Sequence, residues 1–182
     1  MKIQTFDIEG PKLIELKTFP DERGTFTERF QEKTFERLGL PSKFIQDNQS
    51  RSLPKVVRGL HLQKPPFSQG KLVGVIRGRI FDVAVDLRTD SKTHGRHVAV
   101  ELDEKHLFWI PPGFAHGFCV IGDEPADVLY KIDQPFMPDS DIGVRYDDPD
   151  LGIQWPIKNP ILSKKDQNLP SLRELLQLKI RW

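Results

Sequence analysis

Short runs in which apolar and polar residues alternate recur along the chain, each bounded by glycine, proline or other turn residues. The clearest cover residues 12–19, 24–30, 42–50, 55–63, 70–76, 79–87, 97–103, 107–110, 115–121 and 126–133. A period of two is the signature of a strand with one face buried, so the pattern predicts about ten strands. Helical spacing appears only twice, over Lys33–Leu38 and over Ser171–Leu178. In the second, Ser171 and Glu174 have the spacing of a capping box ahead of the apolar stripe Leu172, Leu175, Leu176. Residues 64–68 (KPPFS) read as an extended loop, and residues 147–170 as a Pro-, Asp- and Lys-rich stretch with little periodicity.

Composition reinforces this picture. The 182 residues include 15 Pro and 13 Gly, scattered rather than pooled. Both disfavour helix interiors, so long helices are not expected. Many short strands in one domain-sized chain (residues 1–182) predict a mainly β fold with a few short helices, either a jelly roll or a sandwich. Alternation does not choose between the two.

Charge narrows the partners. Lys and Arg total 27 against 26 Asp and Glu, a net +1, which removes the electrostatic case for nucleic acid but leaves room for a local phosphate site. No run approaches the length of a membrane span. The lone Cys119 has no partner for an intramolecular disulfide, and the first residues, MKIQTFDIEG, lack a secretory apolar run, so a cytoplasmic protein is expected.

Several residues stand out chemically. Alternation in Arg58-Gly-Leu-His-Leu-Gln63 puts His61 and Gln63 on one face and Leu60 and Leu62 on the other. His61 is then either a core histidine satisfied by a carbonyl or a group serving a pocket. Arg23, Arg58 and Lys71 each adjoin a glycine, a pairing that suits close approach of a phosphate, though any one taken singly reads first as a solvated surface charge. His94, His97 and His106 lie among charged or turn residues and read as surface groups. Tyr130 shares a strand face with Val128, and Ser163-Lys-Lys-Asp166 reads as a charged loop.

Residues 111–116 (PPGFAH) have P-x-G-x-x-H spacing and resemble the second motif of the cupin superfamily, which implies a jelly roll and, in metal-binding cupins, a histidine ligand at His116. The first motif of those proteins has H-x-H, where this chain has His61-Leu62-Gln63. Two histidines without a clear carboxylate partner make a poor ligand set, so no metal is expected.

Taken in order, the blocks D-x-R-G-x-F-x-E (21–28), QDN (46–48), RGLHLQ (58–63), QGKLV (69–73), FDVAVDLR (81–88), 109–118, Tyr130-Lys131, DDP (147–149) with Trp155-Pro156, and SKKD (163–166) resemble the dTDP-4-dehydrorhamnose 3,5-epimerase family over nearly the whole chain. The resemblance implies a metal-free cupin-type double-stranded β-helix that works as a homodimer, with the N-terminal segment contributing to the dimer and the C-terminal segment packing over the barrel. By motif position it implies His61 as catalytic base, Asp166 as its dyad partner, Tyr130 as the acid on the opposite face, and Lys71 as stabiliser of the keto oxygen. Arg58 binds the diphosphate in this scheme, and His116 and Lys165 contact substrate. Arg23, Phe26 and Glu28 face the nucleotide from the same or the partner subunit, with Gln46 and Asn48 nearby. Phe136 and Asp141 stand where many family members have tyrosine and glutamate, and Tyr146 where they often have tryptophan.

The implied chemistry asks for these residue types. Inverting a carbon beside a ketone removes a proton from one face and returns one to the other, so an acid-base group is needed on each side. The intervening enolate needs a fixed donor or cation, and no redox cofactor enters. The expected reaction is inversion of C3 and C5 of dTDP-4-dehydro-6-deoxy-D-glucose, giving dTDP-4-dehydro-L-rhamnose. The alternatives are a single-carbon epimerase or ketoisomerase of a related sugar nucleotide, and a non-catalytic cupin that binds a sugar nucleotide or a metal.

Overall fold

A computed structural model describes residues 1–180, so the last two positions of the expected domain lie outside the described residues. Two antiparallel sheets stack face to face. The six-stranded sheet runs β1 (Lys2–Thr5), β2 (Lys12–Glu15), β10 (His106–Ile110), β7 (Lys71–Arg77), β12 (Ala126–Ile132) and β5 (Gln46–Ser52). The five-stranded sheet runs β13 (Asp141–Gly143), β6 (Val57–Gln63), β11 (Phe114–Val120), β8 (Ile80–Asp86) and β9 (His97–Leu102). Neighbours in sequence repeatedly fall in different sheets, β6 to β7 and β11 to β12 among them, which is the winding of a jelly roll. The cupin-type double-stranded β-helix expected from the motifs is the fold observed.

Alternation decides which residues fill which layer. Val73, Val75, Phe108, Ile110 and Val128 of one sheet meet Ile80, Ala84, Val98, Leu102, Phe114, Phe118 and Val120 of the other in the central core. The intervening residues point outward. On the five-stranded sheet, Leu60, Leu62, Val83, Val85 and Ala115 are covered by Val144, Leu151, Leu172 and Leu175 of the C-terminal segment. On the six-stranded sheet, Ile14, Leu72, Leu107 and Trp109 are covered by Phe35 and Leu40, from and just after the helix α1 (Glu32–Arg37). Because both faces are covered, every residue of β11 is buried.

Five features depart from the sequence reading. The run 12–19 breaks at Leu16-Lys17 and divides between β2 and a separate hairpin, β3 (Thr18–Asp21) with β4 (Gly24–Thr27), that pairs with no other strand among the described residues. Strands β1 and β13 are additional. Four and three residues long, they are too short for alternation to register. The run 42–50 becomes strand only from Gln46. The charged loop 163–166 is instead a helical turn, α2 (Lys164–Gln167), whose N-cap Ser163 accepts a hydrogen bond from the Asp166 amide at 3.0 Å. The C-terminal helix α3 (Leu172–Leu176) has the capping box of Ser171 and Glu174. Cys119 is a buried free thiol, its pKa pushed by burial to about 12. No helix among the described residues is long and apolar enough to cross a membrane.

One irregularity aims the site. Between β6 and β11 the register runs from His61 opposite His116 to Arg58 opposite Phe118, so β6 carries one extra residue. Strict alternation would turn Arg58 and His61 to opposite faces; the bulge returns both to the inner face. Gly59 and Gly117 make it possible. A Cβ on Gly59 would lie 2.6 Å from Gly117 Cα and from His116 O, and Gly59 has φ +113°, a left-handed conformation that favours glycine.

Candidate active site

The inner faces of the two sheets part at one end of the barrel, and polar side chains replace the apolar core there. His61, on β6, and His116, on β11, come from the five-stranded sheet; Lys71, on β7, and Tyr130, on β12, from the six-stranded sheet. With Arg58, Lys165 and Asp166 they line a cavity of about 430 Å³. An adjoining cavity of about 380 Å³ shares His61, Lys71, Tyr130 and Lys165, and adds Gln46, Asn48, Phe136 and Asp141. Eleven of the fourteen residues singled out in the sequence therefore converge on one cleft.

Arg23, Phe26 and Glu28 do not. Arg23 and Phe26 lie on the exposed β3–β4 hairpin and Glu28 directly follows it; none lines the cleft of its own chain. Arg23 pairs with Asp21 through Nη2 to Oδ2 at 2.6 Å, and Phe26 is 67% exposed. Within one subunit the hairpin does not reach the cleft. The physical reason is that the hairpin projects from the barrel instead of joining either sheet.

His61 Nε2 lies 2.6 Å from Asp166 Oδ1. The capped turn α2 places Asp166 under the bulge of β6, where the Gly59 backbone N–H also reaches its carboxylate. Burial works against charge on Asp166, but the hydrogen bonds from His61, Ser163 and Gly59 prevail and hold its pKa below the ordinary carboxylate value. The carboxylate keeps a proton on Nε2 and leaves the other ring nitrogen as the basic one.

Lys71 is enclosed and donates to the His61 carbonyl at 3.2 Å. Burial lowers its pKa to about 8, Asp141 and Asp82 opposing the shift, so it remains mostly protonated at neutral pH. Burial raises the pKa of Tyr130, which keeps the phenol protonated, with Arg58 acting the other way. At the mouth, Lys165 is ion-paired with Asp141. Arg58 is anchored through Nε to Ser52 Oγ at 2.9 Å.

Three contributors were given no role at the site by the sequence reading. Asp82, fully buried, takes His116 Nε2 at 2.9 Å; burial lowers the histidine's pKa and raises the aspartate's. Its signal was present: a charge at an inward position of the apolar run Ile80–Asp86. Ser163 shows only the S-x-x-D spacing of a cap. Gln63 ties two loops to the site, donating to Phe67 O and Pro135 O and accepting from the Met137 amide. Each imidazole of the cleft is thus bound to its own carboxylate rather than facing the other.

The profile of the dTDP-4-dehydrorhamnose 3,5-epimerase family matches residues 5–174. A dTDP-4-dehydrorhamnose 3,5-epimerase of Methanothermobacter thermautotrophicus is 48% identical over 172 residues, 92% of each chain. That of Escherichia coli is 44% identical over 184 residues, 99% of each chain. Among solved structures, a dTDP-6-deoxy-D-glucose-3,5-epimerase of Legionella pneumophila in complex with dTDP-4-keto-L-rhamnose superposes with a TM-score of 0.92 at 45% identity, covering 100% of this chain and 98% of that one. Fold, length and sequence agree, and the chain belongs to the dTDP-4-dehydrorhamnose 3,5-epimerase family of cupin-fold isomerases.

Proposed function

We propose that the protein inverts C3 and C5 of dTDP-4-dehydro-6-deoxy-D-glucose, producing dTDP-4-dehydro-L-rhamnose in the biosynthesis of dTDP-L-rhamnose. One observation carries the reading: a carboxylate-backed imidazole, His61, and a protonated phenol, Tyr130, reach a single cleft from opposite sheets, with the half-buried cation Lys71 lining it too. Such an arrangement suits removal of a proton from one side of a ring and delivery of a proton to the other.

In this scheme His61 takes the proton from the carbon beside the C4 ketone, and Asp166 stabilises the resulting imidazolium. The electron pair moves onto the ketone oxygen, where Lys71 and its neighbour His116 hold the enolate. Tyr130 then gives a proton to the opposite face, and solvent restores both groups. C3 and C5 flank the same carbonyl, so one acid-base pair serves both in turn. Positioned acid-base groups contribute about 10²–10⁴ in rate. The remainder falls to enolate stabilisation and to a nucleotide handle held by Arg58, Gln46, Asn48 and Lys165, with Phe136 and Asp141 at its edge. Only protons are transferred, so the scheme calls for neither metal nor redox cofactor.

The working form in this reading is a homodimer of one-domain subunits in the cytoplasm. The unpartnered β3–β4 hairpin supports it, because exposed Phe19 and Phe26 beside Arg23 suit docking against a second copy and its nucleotide. The lone buried cysteine accords with a reducing compartment.

The test is to incubate the protein with the 4-keto-6-deoxyglucose nucleotide in heavy water and follow deuterium by NMR. The reading requires solvent deuterium at both C3 and C5. Exchange at one carbon would reassign the protein to single-carbon epimerisation, and none above a protein-free control would remove the enzymatic reading.

A further inference from the structure

The loop that leaves β12 reads Gln134-Pro-Phe-Met-Pro138. Its two prolines carry no amide hydrogen, so few of its backbone groups can bond to one another. One side chain from the other sheet supplies partners instead. Gln63, at the end of β6 and 3% exposed, donates to Pro135 O at 3.1 Å and accepts from the Met137 amide at 2.7 Å. Those two groups belong to the peptide units on either side of Phe136. The Gln63 amide also donates to Phe67 O at 2.6 Å, in the loop between β6 and β7, and Gln69 Nε2 joins that loop to Gln134 O at 2.8 Å. A buried amide that spends both hydrogens and its oxygen on backbone groups fixes where those groups lie.

The ring between these anchors is treated differently. Phe136 is 53% exposed, and it lines the adjoining cavity together with Gln46 and Asn48. Water gains nothing from an aromatic face, whereas a flat heterocycle packs well on one, with side-chain amides alongside to meet its polar edge. On a loose loop the ring would lose freedom at each encounter with a ligand. On a pinned loop that ordering is complete before binding. We propose that Gln63 is a positioning residue for the nucleoside end of the substrate: it clamps both peptide units of Phe136 and so presents the ring as a preformed wall. The inference rests on the sugar-nucleotide reading above. Gln63 touches no reacting atom in this role and acts through the loop it holds.

Gln63→Met keeps the length of the side chain and removes its polar atoms. Titration calorimetry with dTDP is expected to show affinity lowered on the order of tenfold. The value of kcat/KM for the 4-keto-6-deoxyglucose nucleotide should fall by the same factor, because the wall contacts substrate and transition state alike. Coupling separates positioning from a general structural role. If Gln63 acts through Phe136, the double variant Gln63→Met, Phe136→Ala should bind dTDP within about twofold of Phe136→Ala alone. Wild-type dTDP affinity in Gln63→Met, or losses that multiply in the double variant, overturns the proposal. The wild-type protein gives a check that depends on no variant folding: exchange of the Met137 amide with heavy water should be slow without ligand and little changed by dTDP. Protection that arises only with dTDP also overturns it. Failure of the wild type to bind dTDP removes the sugar-nucleotide reading itself, and this inference with it.

Discussion

His61 Nε2 and Asp166 Oδ1 stand 2.6 Å apart although 105 positions separate them in the chain. One lies on the inner face of β6 and the other on the capped turn α2, and the contact exists only because the C-terminal segment folds back under the β6 bulge. Asp166→Asn keeps the shape of this contact but removes the charge that stabilises an imidazolium in the proposed scheme. Turnover is expected to fall by about 10² or more, with His61→Ala at least as severe. The double variant should be little worse than His61→Ala, because the two act as one unit. Additive losses would show that Asp166 acts apart from His61.

Tyr130 faces His61 from the other sheet, so removing its hydroxyl should separate two measurements that coincide in the wild type. In Tyr130→Phe, the proposed scheme leaves His61 able to remove the substrate proton and to return one from solvent to the same side. Deuterium incorporation is expected to persist while net inversion drops by about 10² or more. If both fall in parallel, the phenol is not the acid.

Lys71 gives a pH signature. Its pKa is lowered by burial from the ordinary lysine value to about 8. Below pH 8 the residue is charged in both folded and unfolded chains, and its burial penalty is fully present. Between about pH 8 and the ordinary value the unfolded chain binds the proton more tightly, so this group's contribution to stability rises with pH. Denaturant titrations should show wild type gaining on Lys71→Met across that window and not below it. If the cation holds the enolate, kcat should also decline as pH rises through about 8.

Gly59→Ala should be destabilising beyond the usual effect of placing a side chain at positive φ. Its Cβ would strike Gly117 Cα and His116 O, whereas Gly122, also at positive φ (+86°), has nothing within 4 Å of the equivalent Cβ. Overpacking costs about 1–3 kcal/mol, so urea unfolding is expected to rank Gly59→Ala below Gly122→Ala by roughly that much. Activity should fall in the first alone, since the bulge aims both Arg58 and His61.

A composite dimer predicts complementation. Mixing His61→Asn with Arg23→Ala subunits, by unfolding and refolding together, should restore one competent site per mixed dimer: its own His61 with the partner's intact hairpin. Sites built from one chain alone would gain nothing on mixing. Sedimentation of the unmixed protein checks the dimer independently.

The layers of the fold were legible because alternation is local. Leu60 and Leu62 fall on one face and His61 on the other whatever the chain does elsewhere. Lys71, His116 and Tyr130 were likewise exposed to inspection as polar residues within strand-forming runs. The ordered motif blocks of a known family supplied the roles and the expectation of a jelly roll. Local pattern was silent on β1, β13 and α2, whose few residues carry too little periodicity.

By itself, then, the sequence determined a strand-rich chain, the face of most strand residues, and a set of acid-base and cationic residues suited to chemistry beside a carbonyl. Tertiary structure decided which of them meet. It joined His61 to Asp166 and His116 to Asp82, and it lowered the pKa of Lys71 by enclosing it. It also set Arg58 on the same face as His61 through one extra residue in β6, and left Arg23 and Phe26 outside the cleft of their own chain. These outcomes depend on strand register, burial and long-range packing, and each of those is a property of pairs of segments that no single run of residues encodes.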